Sequence, residues 1–184
     1  MSAPSLRGRL LVATPLLSDG IFDRSVVLLL EHGDGGALGV VLNRPSEIQV
    51  EDALPDWSGA AVEPAVMFVG GPVALGGALC LGRSTEASMP SWEPVVDGVG
   101  VVDLHLPADL LEGRVDAIRL FSGHAGWAPG QLEDELAARA WLVVDARPGD
   151  VLSLEPETLW RRVLRRQPGT VAWLANHPQD PSLN

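Results

Sequence analysis

The chain contains no lysine and no tyrosine, only three phenylalanines, and a single cysteine among 184 residues. One cysteine excludes an intramolecular disulfide and any zinc site built from several cysteines. It also favours a reducing compartment. Cys80 sits between Leu79 and Leu81, the setting of a small buried hydrophobe and not of an activated thiolate. Long apolar runs are missing too: none approaches the ~18–20 residues a membrane-spanning helix needs. Near the N-terminus, Pro15, Asp19 and Asp23 interrupt the apolar stretch a secretory signal would require. A soluble, cytoplasmic protein with no membrane association is therefore expected. Positive charge is scarce: thirteen arginines oppose twenty-four acidic residues, 13 − 24 = −11. A chain this acidic lacks the usual electrostatic means of holding duplex DNA, which argues against direct nucleic-acid binding.

What is present is material for a core. Hydrophobic residues make up 46% of the chain, enough to fold most of it. The run Val26-Val27-Leu28-Leu29-Leu30 has strand length and no polar alternation, so it predicts a strand buried on both faces. The turn signal His32-Gly33-Asp34-Gly35-Gly36 and the apolar residues 37–43 complete a predicted hairpin. Further strands are expected within residues 8–17, 65–69, 78–81, 99–105, 116–121, 141–144, 151–154 and 171–174. Residues 84–98 read as a polar connection. Helices are expected over residues 48–57, 107–111, 131–139 and 156–166, the last with Pro156 at its first position. Strands outnumber helices without strict alternation, which argues for α+β over a doubly wound sheet. No linker forces a boundary, so one domain over residues 1–184 is expected, with an irregular tail over residues 176–184.

Polar and glycine-rich residues gather where strands are expected to end. Asn43-Arg44-Pro45 puts an amide and a guanidinium at one such end, and an arginine can clamp an anion with two parallel hydrogen bonds. The plain structural alternative is an asparagine that closes the turn beside an arginine paired with a carboxylate. Gly70-Gly71-Pro72, followed by Gly76-Gly77, matches neither a P-loop nor the dinucleotide fingerprint, so it is an anion-binding turn or simply a turn. The densest cluster is Ser122-Gly123-His124-Ala125-Gly126-Trp127, then Gly130-Gln131 and Glu133-Asp134-Glu135. It is expected as a loop joining a strand to a helix, a geometry that can present backbone N–H groups to a ligand. Gln131 and Glu135 share a helical face and could meet Trp127; Glu135 could equally pair with Arg139 four residues on. His124 is placed where a general acid or base could sit, although the four histidines, His32, His105, His124 and His177, show no metal-binding spacing. No metal and no cofactor are expected.

Several of these stretches occur together in one known family. Phe22-Asp23-Arg24-Ser25-Val26-Val27, Gly39-Val40-Val41-Leu42-Asn43-Arg44-Pro45, Phe68-Val69-Gly70-Gly71-Pro72-Val73, Gly123-His124-Ala125-Gly126-Trp127 with Gly130-Gln131-Leu132-Glu133 and Glu135, and Asp180-Pro181-Ser182-Leu183-Asn184 resemble, in this order, the bacterial YqgE/AlgH family. The chain departs from the family pattern at His124, where tyrosine is common, and this weighs against a catalytic histidine. The resemblance implies an α+β fold with a mixed, mostly antiparallel, bifurcated and partly barrel-like sheet flanked by a few short helices. It implies a cytoplasmic bacterial protein and supplies no reaction. Some members carry the label of transcriptional regulator, which conflicts here with the acidic charge.

Three readings follow. The first is a regulatory module that binds a small anionic ligand or a protein partner through Asn43, Arg44, Gly70, Gly71, Pro72, Gly123, His124, Gly126, Trp127, Gln131 and Glu135. The second is a hydrolase or transferase in which Arg44 holds an anionic substrate while Glu135 or His124 moves protons. The third is DNA binding through the arginines Arg161, Arg162, Arg165 and Arg166 of the last helix.

Overall fold

The computed structural model describes residues 4–18, 20–86, 88–89 and 92–178. The motif from Asp180 to Asn184 therefore lies outside the described residues. The core begins with the apolar runs: β1 (Arg9–Ala13), β2 (Val26–Gly33) and β3 (Gly36–Val41) form an antiparallel meander. Their residues alternate between two cores, as the two-residue period of a strand requires. Leu10, Val12, Val26, Leu28, Leu30 and Val40 face one core, while Leu11, Ala13, Val27, Leu29 and Val41 face the other. That double burial is why the run at residues 26–30 shows no polar alternation.

The remaining strands are β4 (Pro45–Gln49), β5 (Val66–Val69), β6 (Val73–Ser84), β7 (Trp92–Val96), β8 (Val99–Val102), β9 (Val115–Trp127) and β10 (Trp141–Asp145). They make one mixed, mostly antiparallel sheet in the order β10-β1-β2-β3-β9-β6-β8-β7, curled into a half-barrel. The sheet forks at β9. One edge of β9 pairs with β6; the other is shared between β5, parallel at Phe121 and Ser122, and β3, antiparallel from Ala125 to Trp127. β4 pairs with β5 and completes the branch. The short helices are α1 (Val50–Ala53), α2 (Gln131–Ala137), α3 (Pro148–Val151) and α4 (Leu159–Arg165). Leu159, Trp160, Val163 and Leu164 of α4 enter the first core and Leu132 of α2 enters the other. No described helix is long and apolar enough to cross a membrane.

Five local expectations change. Residues 122–127 are strand and not loop, because β6 and β3 supply ladder partners as far as Trp127. Residues 84–98 contain β7, a sheet-edge strand that tolerates Pro94. Residues 48–57 begin as the end of β4 and contain only the single turn α1, since Pro55 starts a separate 3-10 segment, Pro55–Ala60. Residues 151–154 are not a strand: Pro148 and the Asp150 side chain, which accepts from the Arg147 N–H at 2.8 Å, start α3 instead. Residues 171–174 lie in the 3-10 segment Gly169–Asn176, where Val171, Leu174 and Ala175 meet the core at helical spacing.

Arg119 ties these parts together. It lies on β9 between Ala117 and Phe121, on the face of the first core, and is 2% exposed. It donates to the carbonyls of Ser153 (2.7 Å) and Glu63 (2.8 Å) and lies 4.3 Å from the Phe68 ring centroid. Burial without a carboxylate partner pushes its guanidinium down to about 10.

The fork demands glycine. A Cβ at Gly71 would collide with the backbone of His124 and Ala125, and one at Gly123 would approach the Gly71 carbonyl oxygen at 2.5 Å. Gly126 faces open space. Gly71→Ala is expected to cost about 2–3 kcal/mol. Gly126→Ala should stay within about 0.5 kcal/mol. Urea denaturation of the two variants measures the contrast.

Candidate functional site

The cluster around Trp127 closes on itself. Gly130, at φ 78°, turns the chain into α2, and the Gln131 side-chain oxygen accepts the Ala128 N–H at 3.0 Å. Gln131 then donates to Glu135 Oε1 at 3.0 Å. Glu135 Oε2 accepts both the Trp127 indole N–H (2.9 Å) and the Trp141 indole N–H (2.8 Å). The two indoles meet edge to face at 6.0 Å between centroids, and Phe22 meets Trp141 at 5.6 Å. Trp127, Gln131 and Glu135 thus fasten the end of β9 to α2 and β10. Both Glu135 oxygens are taken, which replaces the expected pairing with Arg139. Arg139 instead ends the helix at φ 60° and its carbonyl accepts the Thr14 hydroxyl at 2.8 Å.

His124 is half-buried on β9 opposite Val73, and its ring has no hydrogen-bond partner among the described residues. No group of three His, Cys, Asp or Glu residues that could hold a metal occurs among them either. Cys80 is buried, and desolvation pushes its thiol up to about 12, far from a reactive thiolate. Gly70 and Gly71 are buried at the fork, where the Gly70 N–H donates to the Ser122 carbonyl at 2.9 Å; Pro72 is exposed. Glu135→Leu removes the acceptor of two buried indole N–H groups. It is expected to cost about 2–4 kcal/mol and to alter the near-UV dichroism of the tryptophans. Glu135→Gln, which keeps an acceptor, should cost less in the same urea titration.

Asn43 and Arg44 lead elsewhere. Asn43 is 5% exposed; its Oδ1 accepts the Val26 N–H and its Nδ2 donates to the Arg24 carbonyl, both at 2.9 Å. These bonds hold Arg24 at φ 53°, a left-handed conformation unusual for arginine. The Arg44 guanidinium donates to the carbonyls of Asn43 (3.2 Å) and Asp23. With Asp23, Glu157, Trp160 and Arg161 they line a cleft of about 270 Å³. Arg24 lies over the Trp160 ring at 5.0 Å and donates to the His177 carbonyl at 2.7 Å. The Trp160 indole is itself fixed by the Ala13 carbonyl at 2.8 Å. Burial, then the neighbouring Arg161, lower the Arg24 guanidinium below its usual range, while Asp23 opposes them. Burial likewise lowers Arg44, again opposed by Asp23.

Of the residues expected at a site, the cleft takes only Asn43 and Arg44. The backbones of Arg44, Gly70 and Ser122 do adjoin, since the Arg44 carbonyl accepts the Val69 N–H at 2.8 Å, but the side chains diverge. Asp23, Arg24, Glu157, Trp160 and Arg161 are the lining residues that sequence reasoning did not place at this site. Arg24 belongs to the Phe22–Val27 stretch shared with the family, and Arg161 was grouped with an arginine face that in fact divides. Arg166 pairs with Asp150 at 2.6 Å and Arg162 bonds Thr158 and Ser153. Arg161 alone of the four lines the cleft.

Residues 10–172 match the model of a family described as AlgH-like. A UPF0301 protein of Streptomyces coelicolor is 55% identical over 185 residues, covering 98% of this chain and 96% of that protein. One of Mycobacterium ulcerans is 44% identical over 181 residues, covering 96% and 90%. Among solved structures, the crystal structure of a Corynebacterium diphtheriae protein matches with a TM-score of 0.88 at 30% identity, over 94% of this chain and 92% of that one. The solution structure of the AlgH protein from Pseudomonas aeruginosa matches at 0.71 and 28% identity, over 97% of each chain. Sequence and fold agree over nearly the whole length, and the chain belongs to the YqgE/AlgH family.

Proposed function

We propose that this protein is a regulatory module that binds a small anionic ligand in the cleft of Arg24, Arg44 and Arg161. One observation carries the reading. Three arginines line one small cleft, Arg24 and Arg161 lie near enough to repel each other, and among the described residues none of the three forms an ion pair with a carboxylate. An anion between Arg24 and Arg161 relieves that repulsion. The regulatory element is the bond from Arg24 to the His177 carbonyl: a ligand that draws Arg24 into the cleft competes with its hold on the C-terminal 3-10 segment. The enzyme reading draws less support, because Glu135 is turned to the two indoles and His124 has no orienting partner among the described residues.

Calorimetric titration with inorganic phosphate at low salt tests the proposal. Saturable binding is expected, and Arg161→Ala should weaken it about tenfold, the loss of a charge-assisted contact. Arg165→Ala, outside the cleft, should leave it unchanged. Absence of saturable binding, or equal losses in the two variants, would refute the reading.

A further inference from the structure

The cleft also carries information about the rest of its ligand. This inference rests on the anion-binding reading above. Three guanidiniums, two carboxylates and an indole line the space, giving 3 − 2 = +1. Arg161 donates to no protein group among the described residues, and Arg24 spends one N–H on His177. Of five N–H groups on each guanidinium, Arg161 keeps all and Arg24 keeps four. A carboxylate offers about four lone-pair sites, fewer than these donors alone. A phosphate brings three terminal oxygens and a charge of about −1.5 to −2 at neutral pH, and its additional oxygen comes closer to the number of donors.

The carboxylates restrict the other end. Among the described residues no donor hydrogen-bonds the Glu157 or Asp23 carboxylate, although the Asp23 charge acts on Arg24 and Arg44. Each would repel a second anionic group and would accept a hydroxyl hydrogen. Size adds a limit: about 270 Å³ lies just under the range of about 300–1,000 Å³ usual for small-molecule pockets. We propose that the ligand is a small, hydroxylated phosphate monoester, with its phosphate on Arg24, Arg44 and Arg161 and its hydroxyl on Glu157. The Asn43 bond fixes the Arg24 backbone at the cleft, and the Trp160 indole beneath keeps its side chain at the cleft wall, within reach of the ligand that draws it off the His177 carbonyl.

Glycerol 3-phosphate, inorganic phosphate and malonate, titrated separately by calorimetry, decide the matter. Glycerol 3-phosphate is expected to bind roughly fivefold tighter than phosphate, the increment of one hydrogen bond. Malonate should bind about tenfold more weakly than phosphate, because its second carboxylate meets Glu157 or Asp23. Both phosphates should weaken as pH falls below about 6, where phosphate takes up a proton and the guanidiniums do not. Glu157→Gln should admit malonate more readily and leave inorganic phosphate at least as tight. Glu157→Ala should erase the advantage of glycerol 3-phosphate. If malonate equals phosphate in the unaltered protein, or glycerol 3-phosphate keeps its advantage in Glu157→Ala, the ligand class is wrong and the anion site stands. If none of the three binds, the site itself is refuted.

Discussion

The fold depends on one strand having three partners. β9 runs 13 residues, long enough to pair with β6 along one edge and to divide the other between β5 and β3. Where the edge changes hands, at Ser122 to Ala125, three backbones approach more closely than any side chain permits. Gly70, Gly71 and Gly123 meet that constraint. The glycines that look like a ligand cradle in the sequence are thus accounted for by the fork. Their N–H and C=O groups join strands, as in the bonds from Gly70 N–H to Ser122 and from Val41 N–H to Gly70.

Two polar anchors stabilise the arrangement on opposite faces. On the first core, Arg119 supplies donors to carbonyls in two irregular segments that no strand or helix serves. The cost is a desolvated cation, expressed in its lowered pKa and offset by hydrogen bonds and the Phe68 ring. On the second core, Glu135 gathers two indoles that would otherwise bury unpartnered N–H groups. Both anchors let short elements dock firmly, a need created by helices of only four to seven residues, which have little stability alone.

The cleft arises where the β2–β3 meander meets α4. Asn43 reaches back to residues 24–26 and fixes Arg24, while α4 contributes Trp160 and Arg161. Its lining therefore comes from stretches more than a hundred residues apart. An acidic chain that gathers three arginines against two carboxylates in one cleft has placed its charge unevenly, and such a local field can concentrate anions despite a negative whole.

The sequence by itself determined much of this. The unbroken run Val26 to Leu30 required a doubly buried strand, the Gly-rich turn after it required a hairpin, and the stripe Leu159, Trp160, Val163 and Leu164 required a docked helix; all three depend on local period and turn chemistry. It also indicated that Gln131, Glu135 and Trp127 could meet, because helical spacing puts the first two on one face. Other features depended on partners distant in the chain. Residues 122–127 became strand because β3 and β6 satisfy their backbone, and residues 151–154 lost their strand because Pro148, Asp150 and Arg119 supply other bonds. Arg161 became distinct from Arg162 and Arg166 only when Asp150, Ser153 and Thr158 engaged those two, and from Arg165 only because it lines the cleft. Local pattern sets which segments can be strand or helix; only the tertiary structure assigns each polar group a partner, and so decides which charges remain free to meet a ligand.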